Sequence, residues 1–332
     1  MPANLTIQYR KAEEAYRCAT TPTEELCCLQ VMLREMPKHK GTDKLQADLK
    51  QKISKLRKEL EQHRATGKSH GSGMRIPRQG AGRAVLIGGP NAGKSQLVRT
   101  LTPATPEVAL YPFTTHQPAP AMMPWLDIMI QLIDTPPITK DVFAPVTQGL
   151  IRGADVVLLL IDLGSDEGID QVQELLDKLS STKTRLARES SLDANDVGLS
   201  YTSTIAVPNK MDASGARDRL ALVHEFCPLE FEEIPISAQE GMGTQELGER
   251  IFEALDVVRV YTKMPNRKDP DYEKPYTVGR GTPLIEVAAL IHQDLVESFK
   301  FARVWGSAVH PGTRVKPDYV VQDQDVVEIH VG

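Results

Sequence analysis

Leu45, Leu49, Ile53, Leu56 and Leu60 recur at spacings of four, four, three and four, which draws one apolar stripe along a helix. A helix before it opens at Thr23-Glu24-Glu25, carries Leu26, Leu29, Leu33 and Met36, and is broken by Pro37 and Gly41. A short connection between amphipathic helices favours antiparallel packing, so residues 1–66 are expected to form an α-helical hairpin. From 67 to 82, Gly71, Gly73 and Gly80 sit among Ser, Arg and Gln, too polar to build a core, and this stretch predicts a flexible linker.

The pattern then changes to short apolar runs separated by helical periods. Strand-length runs occupy 83–88, 126–133, 156–162, 203–207 and 231–236, with helical patterns over 171–179, 215–226 and 244–258. That alternation predicts an α/β domain over 83–256, a mostly parallel sheet covered on both faces, with a ligand at the carboxyl ends of its strands. The polar stretch 180–200 reads as an irregular surface excursion. Over 257–332 the candidates are strands at 258–261, 276–278, 302–305 and 325–331, a helix over 283–299 and a turn at His310-Pro311-Gly312, which predict a small separate α+β module.

Composition adds bounds. With 332 residues, 41% hydrophobic and 25% charged, the chain has room for two or three ordinary globular domains, and its net charge of −5 excludes a protein coated in positive charge. The exception is local: residues 38–68 hold ten Lys and Arg against four Asp and Glu. A solvated helix face and an electrostatic contact with RNA or the ribosome both account for it. No apolar run exceeds strand length and the N-terminus lacks a basic-then-apolar leader, so neither a signal peptide nor a membrane span is expected. Cys18, Cys27, Cys28 and Cys227 lack metal-ligand spacing and are expected to be reduced thiols of a cytosolic protein; the adjacent Cys27 and Cys28 read as packing residues or as a redox pair. His116, His224 and His292 likewise lack such spacing, and Phe301 and Trp305 read as module core or as base-stacking rings.

The candidate chemistry begins at Gly88, where GxxxxGKS follows a strand and opens into Gln96-Leu97-Val98. Gly88, Pro90, Asn91, Ala92, Gly93, Lys94, Ser95 and Gln96 are the candidate phosphate-binding set: the glycines let the backbone wrap a phosphate and the helix dipole favours the anion. Lys94 is placed on the β- and γ-phosphates and the Ser95 hydroxyl on Mg²⁺. Asn209-Lys210-Met211-Asp212 ends a later strand. Guanine offers adjacent N1–H and N2–H₂ donors that the Asp212 carboxylate can accept together, whereas adenine does not, which selects GTP or GDP. Ser237-Ala238 after the next strand completes the base-binding candidates.

These motifs resemble the translation-factor-related GTPases of the Obg/HflX superfamily, particularly the developmentally regulated GTP-binding proteins. The resemblance covers nearly the whole chain: residues 36–60 with the family's helical region, YPFTT at 111–115 with its switch I, and RVYTK (259–263), IHQDL (291–295), FKFARVWGSAV (299–309) and DQDVVEIH (323–330) with its C-terminal TGS domain. It implies a P-loop GTPase domain with an α-helical region before it and a ubiquitin-like β-grasp TGS domain after it, partners among ribosomes, ribosomal RNA and regulatory proteins, and no membrane association. It further implies that Thr115 joins Ser95 on Mg²⁺ when GTP closes switch I, that Asp134 reaches the metal through water, and that Lys94, Thr115 and Asn91 assist catalysis. Asn91 matches the asparagine that helps hold K⁺ in potassium-stimulated members; the alternative for it is a plain turn residue.

Two departures bear on activity. The family's DxPG reads Asp134-Thr135-Pro136-Pro137, and proline lacks the N–H that the glycine gives to the γ-phosphate. Ile138 stands where Ras-like enzymes have a water-orienting glutamine, as is common in this family. The span from Asp134 to Asn209 is also short for the domain inserted in eukaryotic and archaeal members. The expected function is slow, Mg²⁺-dependent GTP hydrolysis, with K⁺ stimulation if Asn91 holds that ion, in a ribosome- or RNA-associated switch. The alternative is a non-hydrolysing, guanine-nucleotide-dependent binding module, and an ATP-dependent kinase is disfavoured by Asp212.

Overall fold

The computed structural model describes residues 7–19, 22–37, 42–65, 76–103, 117–193, 196, 199–265, 267 and 269–332. Helices α1 (Ile7–Cys18), α2 (Pro22–Glu35) and α3 (Asp43–Ala65) come first. Leu29, Met36, Leu49 and Ile53 pack together as the apolar stripes predict, Met32 joins them, and α1, not anticipated, adds Tyr9, Ala12 and Tyr16. These three are spaced by three and four residues, a helical stripe built of Tyr and Ala instead of Leu.

The stretch read as a flexible linker is described only from 76, and its end is held to the central sheet. Ala81 N–H donates to Met129 O at 2.8 Å and Gln131 N–H to Gly82 O at 2.9 Å. The α/β domain then runs β1 (Arg83–Gly88), α4 (Lys94–Leu101), β2 (Ala119–Trp125), β3 (Ile128–Asp134), α5 (Pro145–Arg152), β4 (Val156–Asp162), α6 (Glu167–Ser180), β5 (Thr184–Ala187), β6 (Ser191–Leu192), β7 (Ser200–Asn209), α7 (Ala216–Phe226), β8 (Glu232–Glu233) and α8 (Thr244–Leu255). Strand order is β2-β3-β1-β4-β7-β5, with β6 and β8 also paired to β7; all pairs are parallel except β2 to β3 and β6 to β7.

Every residue of β1 and β4 is buried, because a parallel sheet covered on both faces needs continuous apolar strands. Ala84, Leu86, Leu158 and Leu160 face Leu97 of α4 and Leu247 and Ile251 of α8. Their neighbours Val85, Ile87, Val157 and Leu159 face Leu150 and Ile151 of α5 and Leu175 and Leu179 of α6. Within the stretch read as an irregular excursion, β5 and β6 extend the sheet edge along the first half of β7.

The C-terminal module comprises β9 (Val257–Thr262), β10 (Asp271–Gly279), α9 (Leu284–Ile291), α10 (Gln293–Glu297), β11 (Phe299–Gly306), β12 (Val309–Val315) and β13 (Asp325–Val331). Its sheet runs β10-β9-β13-β11-β12 with β13 parallel to β9, and packs Val258, Val260, Ala302, Val304 and Val327 on Leu284 and Val287 of α9. The helix expected over 283–299 is broken at His292, whose extended backbone (φ −164°) lets its ring accept the Asp294 N–H and cap α10. His310-Pro311-Gly312 lies inside edge strand β12, where a proline costs no ladder bond. Phe301 and Trp305 are absent from the buried core: they lie on the opposite sheet face, with Phe301 stacked on His330 at 4.4 Å, Arg314 over Phe301 at 3.9 Å and Lys263 over Trp305 at 4.8 Å. Buried Arg259 joins module to sheet, donating to Asp127 in the β2–β3 turn (2.8 Å) and to Asp323 (2.7 Å), while Tyr261 OH donates to Asp127 as well.

Candidate nucleotide site

Strands β1, β3, β4 and β7 all end at the same edge, delivering the phosphate loop, Asp134, Asp162 and Asn209 side by side. Gly93 is left-handed (φ 91°), and a Cβ on it would lie 2.2 Å from Asn209 Nδ2, so only glycine lets the loop pass this close. Asn91 is also left-handed (φ 58°) and exposed. Helix α4 starts at Lys94 with neither a side-chain cap nor an acidic residue in its first turn, which leaves the positive end of its dipole to an anion.

Lys94 is buried, and its Nζ donates to two neutral carbonyls, Gly88 O at 3.1 Å and Gly89 O at 2.8 Å. Burial pulls its pKa down to about 8, against the opposing pull of Asp134. Ser95 Oγ donates to Asp134 Oδ2 at 2.5 Å, while Asp134 Oδ1 is shut from solvent with no hydrogen-bond partner among the described residues. Burial raises the Asp134 carboxyl above its ordinary pKa, and the Ser95 hydrogen bond and Lys94 only partly offset it. A hydroxyl and a carboxylate with an orphaned oxygen form the hard oxygen donor set that suits Mg²⁺, held directly or through its water. A cavity of about 520 Å³ opens here, lined by Pro90 to Gln96, Asp134 to Pro137, Gln117, Ala119 and Lys210.

Asn209 connects this half to the other. Its Nδ2 donates to Ala92 O and its Oδ1 accepts from Ala238 N–H, both at 2.9 Å, so one buried side chain ties the phosphate loop to the Ser237-Ala238 loop. Thr100 of α4 reinforces the tie by donating to Ala238 O at 2.6 Å. Lys210, left-handed at φ 68°, donates to Asp162 Oδ2 at 2.8 Å. Asp212 follows it, exposed at the same edge. Ser237 is buried, its N–H given to Met242 O at 3.0 Å. Thr115, with all of 104–116, lies outside the described residues.

Beyond Asp134, Thr135 Oγ1 donates to Leu86 O at 2.6 Å and Ile138 N–H to Gly88 O at 3.2 Å. Lys140 pairs with Glu174 at 2.7 Å and Lys178 donates to Lys140 O at 2.7 Å, which pins the following segment to α6. Asp162, Thr135 and Thr100 were not among the sequence candidates. Asp162 had a signal, being the polar end of an apolar strand beside the one ending at Asn209; the two threonines had none, since their partners are distant backbone carbonyls.

Fold and site together define a P-loop guanine-nucleotide-binding domain. The 50S ribosome-binding GTPase family matches residues 83–189 and the TGS domain family matches 258–331. Among relatives, a developmentally regulated G-protein of Arabidopsis thaliana is 29% identical over 351 aligned positions (88% of this chain, 94% of the relative). A developmentally regulated GTP-binding protein of Xenopus laevis is 28% identical over 357 (91% and 96%). A GTP-binding protein of Methanocaldococcus jannaschii is 27% identical over 366 (92% and 92%). Along nearly its whole length this chain is similar to developmentally regulated GTP-binding proteins, and it carries a GTPase domain followed by a TGS domain. Alignment over 366 positions exceeds its 332 residues, so the archaeal relative carries segments that it lacks. Among the described residues no helix is long and apolar enough to cross a membrane.

Proposed function

We propose that this protein is a slow GTPase that works as a nucleotide-dependent switch on a ribosomal or RNA-containing partner, with 1–66, 67–82, 83–256 and 257–332 as helical region, linker, GTPase domain and TGS domain. The observation that carries the reading is the Asn209 brace, which ties the phosphate loop at Ala92 to the Ser237-Ala238 loop and so supports one nucleotide reaching across both. Lys94 leaves its two carbonyls for the β- and γ-phosphates, Asp212 accepts the guanine N1–H and N2–H₂ pair, and Ser237-Ala238 lies against the base. Ser95 and Thr115 would hold Mg²⁺ with Asp134 beside it, and the ion would supply positive charge for the phosphate oxygens. Asn91 helps hold K⁺, which strengthens that effect. No protein base is assigned: Lys94 and the loop amides position the phosphates for attack by water. The free cysteines, Cys27, Cys28 and Cys227 among them, accord with a cytosolic protein.

The non-hydrolysing reading has an observation of its own. Pro137 has no N–H and the next one, Ile138, is already given to Gly88 O, so this segment offers the γ-phosphate no backbone donor at either residue. Single-turnover hydrolysis of GTP in K⁺ and in Na⁺, with and without ribosomes, separates the two. Cleavage in any condition that is lost in Lys94→Met supports the enzyme; tight GTP binding without cleavage in all four supports the binding module. For the partner, the Arg314–Phe301–His330 stack on the TGS sheet supports RNA, because base and guanidinium stacking is sequence-tolerant.

A further inference from the structure

Asp162 ends β4 as a carboxylate only 5% exposed, level with Asn209 at the end of β7. Its Oδ2 accepts from Lys210 Nζ at 2.8 Å and its Oδ1 from Gly164 N–H at 2.7 Å, so each oxygen has a donor. Lys210, the second residue of the Asn209–Asp212 motif, lines the same cavity as the phosphate loop. Asp162 therefore reaches the nucleotide site only through that lysine.

The lysine stem runs through a groove that the neighbouring loop leaves for it. A Cβ on Gly164 would lie 2.7 Å from Lys210 Cδ, 3.3 Å from its Nζ and 3.0 Å from Asp162 Oδ1. Gly164 is not among the left-handed glycines, so its backbone accepts any residue, and it is the passage of the lysine that needs the missing side chain. Lys210 itself is left-handed at φ 68°, a region that lysine seldom enters, and the ion pair fixes the far end of its side chain. The loop does not depend on that pair for its shape. Leu163 N–H donates to Asn209 O at 3.1 Å, and Arg219 Nη1 donates to Leu163 O at 3.1 Å and to Ser214 O at 2.8 Å, bridging the loop after β4 to the loop after β7.

We infer that Asp162 is a positioning residue for guanine recognition, with Gly164 as the wall that lets it act: together they hold the Lys210 stem in place before the nucleotide arrives, ready to cover one face of the base. The inference rests on the guanine assignment of Asn209–Asp212. A lysine stem left free has many rotamers to lose on binding, and one already ordered loses none, so anchoring the ammonium favours the nucleotide without touching it. The aliphatic stem suits the flat face of a base while its charge stays on the carboxylate. A buried carboxylate deprived of its cation is strongly unfavourable, which keeps the pair closed in the empty site.

The test is a double-mutant cycle on the full chain, with GDP affinity read by calorimetry in Mg²⁺ and melting temperature read alongside. Asp162→Asn keeps the shape and the acceptor for Gly164 but drops the charge, and it should weaken GDP about tenfold. Lys210→Met should weaken it at least as much, and the double variant no further than Lys210→Met alone. In the Lys210→Met background Asp162→Asn should raise the melting temperature, because it removes a buried charge without a partner; in the wild-type background it should lower it. A merely structural role for Asp162 gives additive losses and no such reversal. Gly164→Ala alters no charge and should also weaken GDP, with no further loss once Lys210→Ala has emptied the groove; if Asp162→Asn fails to fold, this second cycle decides. Additive losses, or GDP affinity unchanged by both Asp162→Asn and Gly164→Ala, overturn the positioning role. A wild-type chain that binds no GDP overturns instead the guanine assignment beneath it.

Discussion

Lys94 makes a prediction that separates the nucleotide-free state from the bound one. Its ammonium is buried against two neutral carbonyls, and its pKa of about 8 lies well under the ordinary 10.5. At 1.36 kcal/mol per pKa unit, that gap corresponds to a cost of about 3 kcal/mol for keeping the charge in the empty loop. The sign follows from proton counting: between pH 8 and 10.5 the unfolded chain binds more protons than the folded one, so the cost is fully present below pH 8 and vanishes as pH rises to 10.5. Phosphates supply the missing negative charge and restore the high pKa, so nucleotide binding takes up a proton. The uptake is about 0.1 proton at pH 7, about 0.5 at pH 8 and about 0.9 at pH 9, with affinity about twofold weaker at pH 8 and about tenfold weaker at pH 9 than at low pH. Calorimetric GDP titrations at pH 8 in buffers of different ionisation enthalpy read the uptake directly, below the pH at which guanine N1 itself ionises. The reasoning is refuted if no proton is taken up at pH 8, or if the same uptake persists in Lys94→Met.

Asp212→Asn should move preference from guanine to xanthine nucleotides, whose C2 carbonyl needs a donor; a competition assay with unchanged GTP preference removes the base assignment. Pro137→Gly restores a backbone N–H near the γ-phosphate and should raise single-turnover hydrolysis several-fold or sharpen the GDP/GTP difference in protease sensitivity, and no change in either means that proline is not limiting. Arg259→Met leaves Asp127 and Asp323 without their cation and should cost about 2–3 kcal/mol at pH 7, the low end for a buried pair because both carboxylates keep some water. Burial alone would raise those two carboxyls, but hydrogen bonds from Tyr261 and Arg259 to Asp127, and from Arg259 to Asp323, outweigh it and hold both below the ordinary 3.8. Their contribution is therefore present above pH 3.8 and lost as pH falls further, so the urea-denaturation difference between wild type and variant should shrink at pH 3. Phe301→Ala with Arg314→Ala should weaken binding of single-stranded RNA at least tenfold without lowering GDP affinity; equal loss for both ligands would point to misfolding instead.

Several elements escape a reading of the sequence for identifiable reasons. Strand β2 carries Pro120 and Pro124, which argue against a strand, and is tolerated because it lies on the sheet edge beside β3. Strands β5 and β6 are polar and short, since an edge over the first half of β7 has little apolar surface to cover. Helix α1 hides its stripe in Ala and Tyr.

What the chain determines by itself is whatever repeats or clusters locally. The Leu45–Leu60 stripe, the buried runs of β1 and β4, and the order of GxxxxGKS, Asp134-Thr135-Pro136, Asn209–Asp212 and Ser237-Ala238 can be read without coordinates, because helix period, strand burial and loop chemistry are properties of neighbouring residues. Tertiary structure alone decides which distant groups share one environment. Asn209 finds Ala92 across 117 positions, Arg259 finds Asp127 across 132, and Arg17 and Arg152 come to line one cavity with no pattern along the chain to announce it. Hydrogen bonds and charge act over a few ångströms of space, and the separation of residues along a sequence carries no measure of that distance.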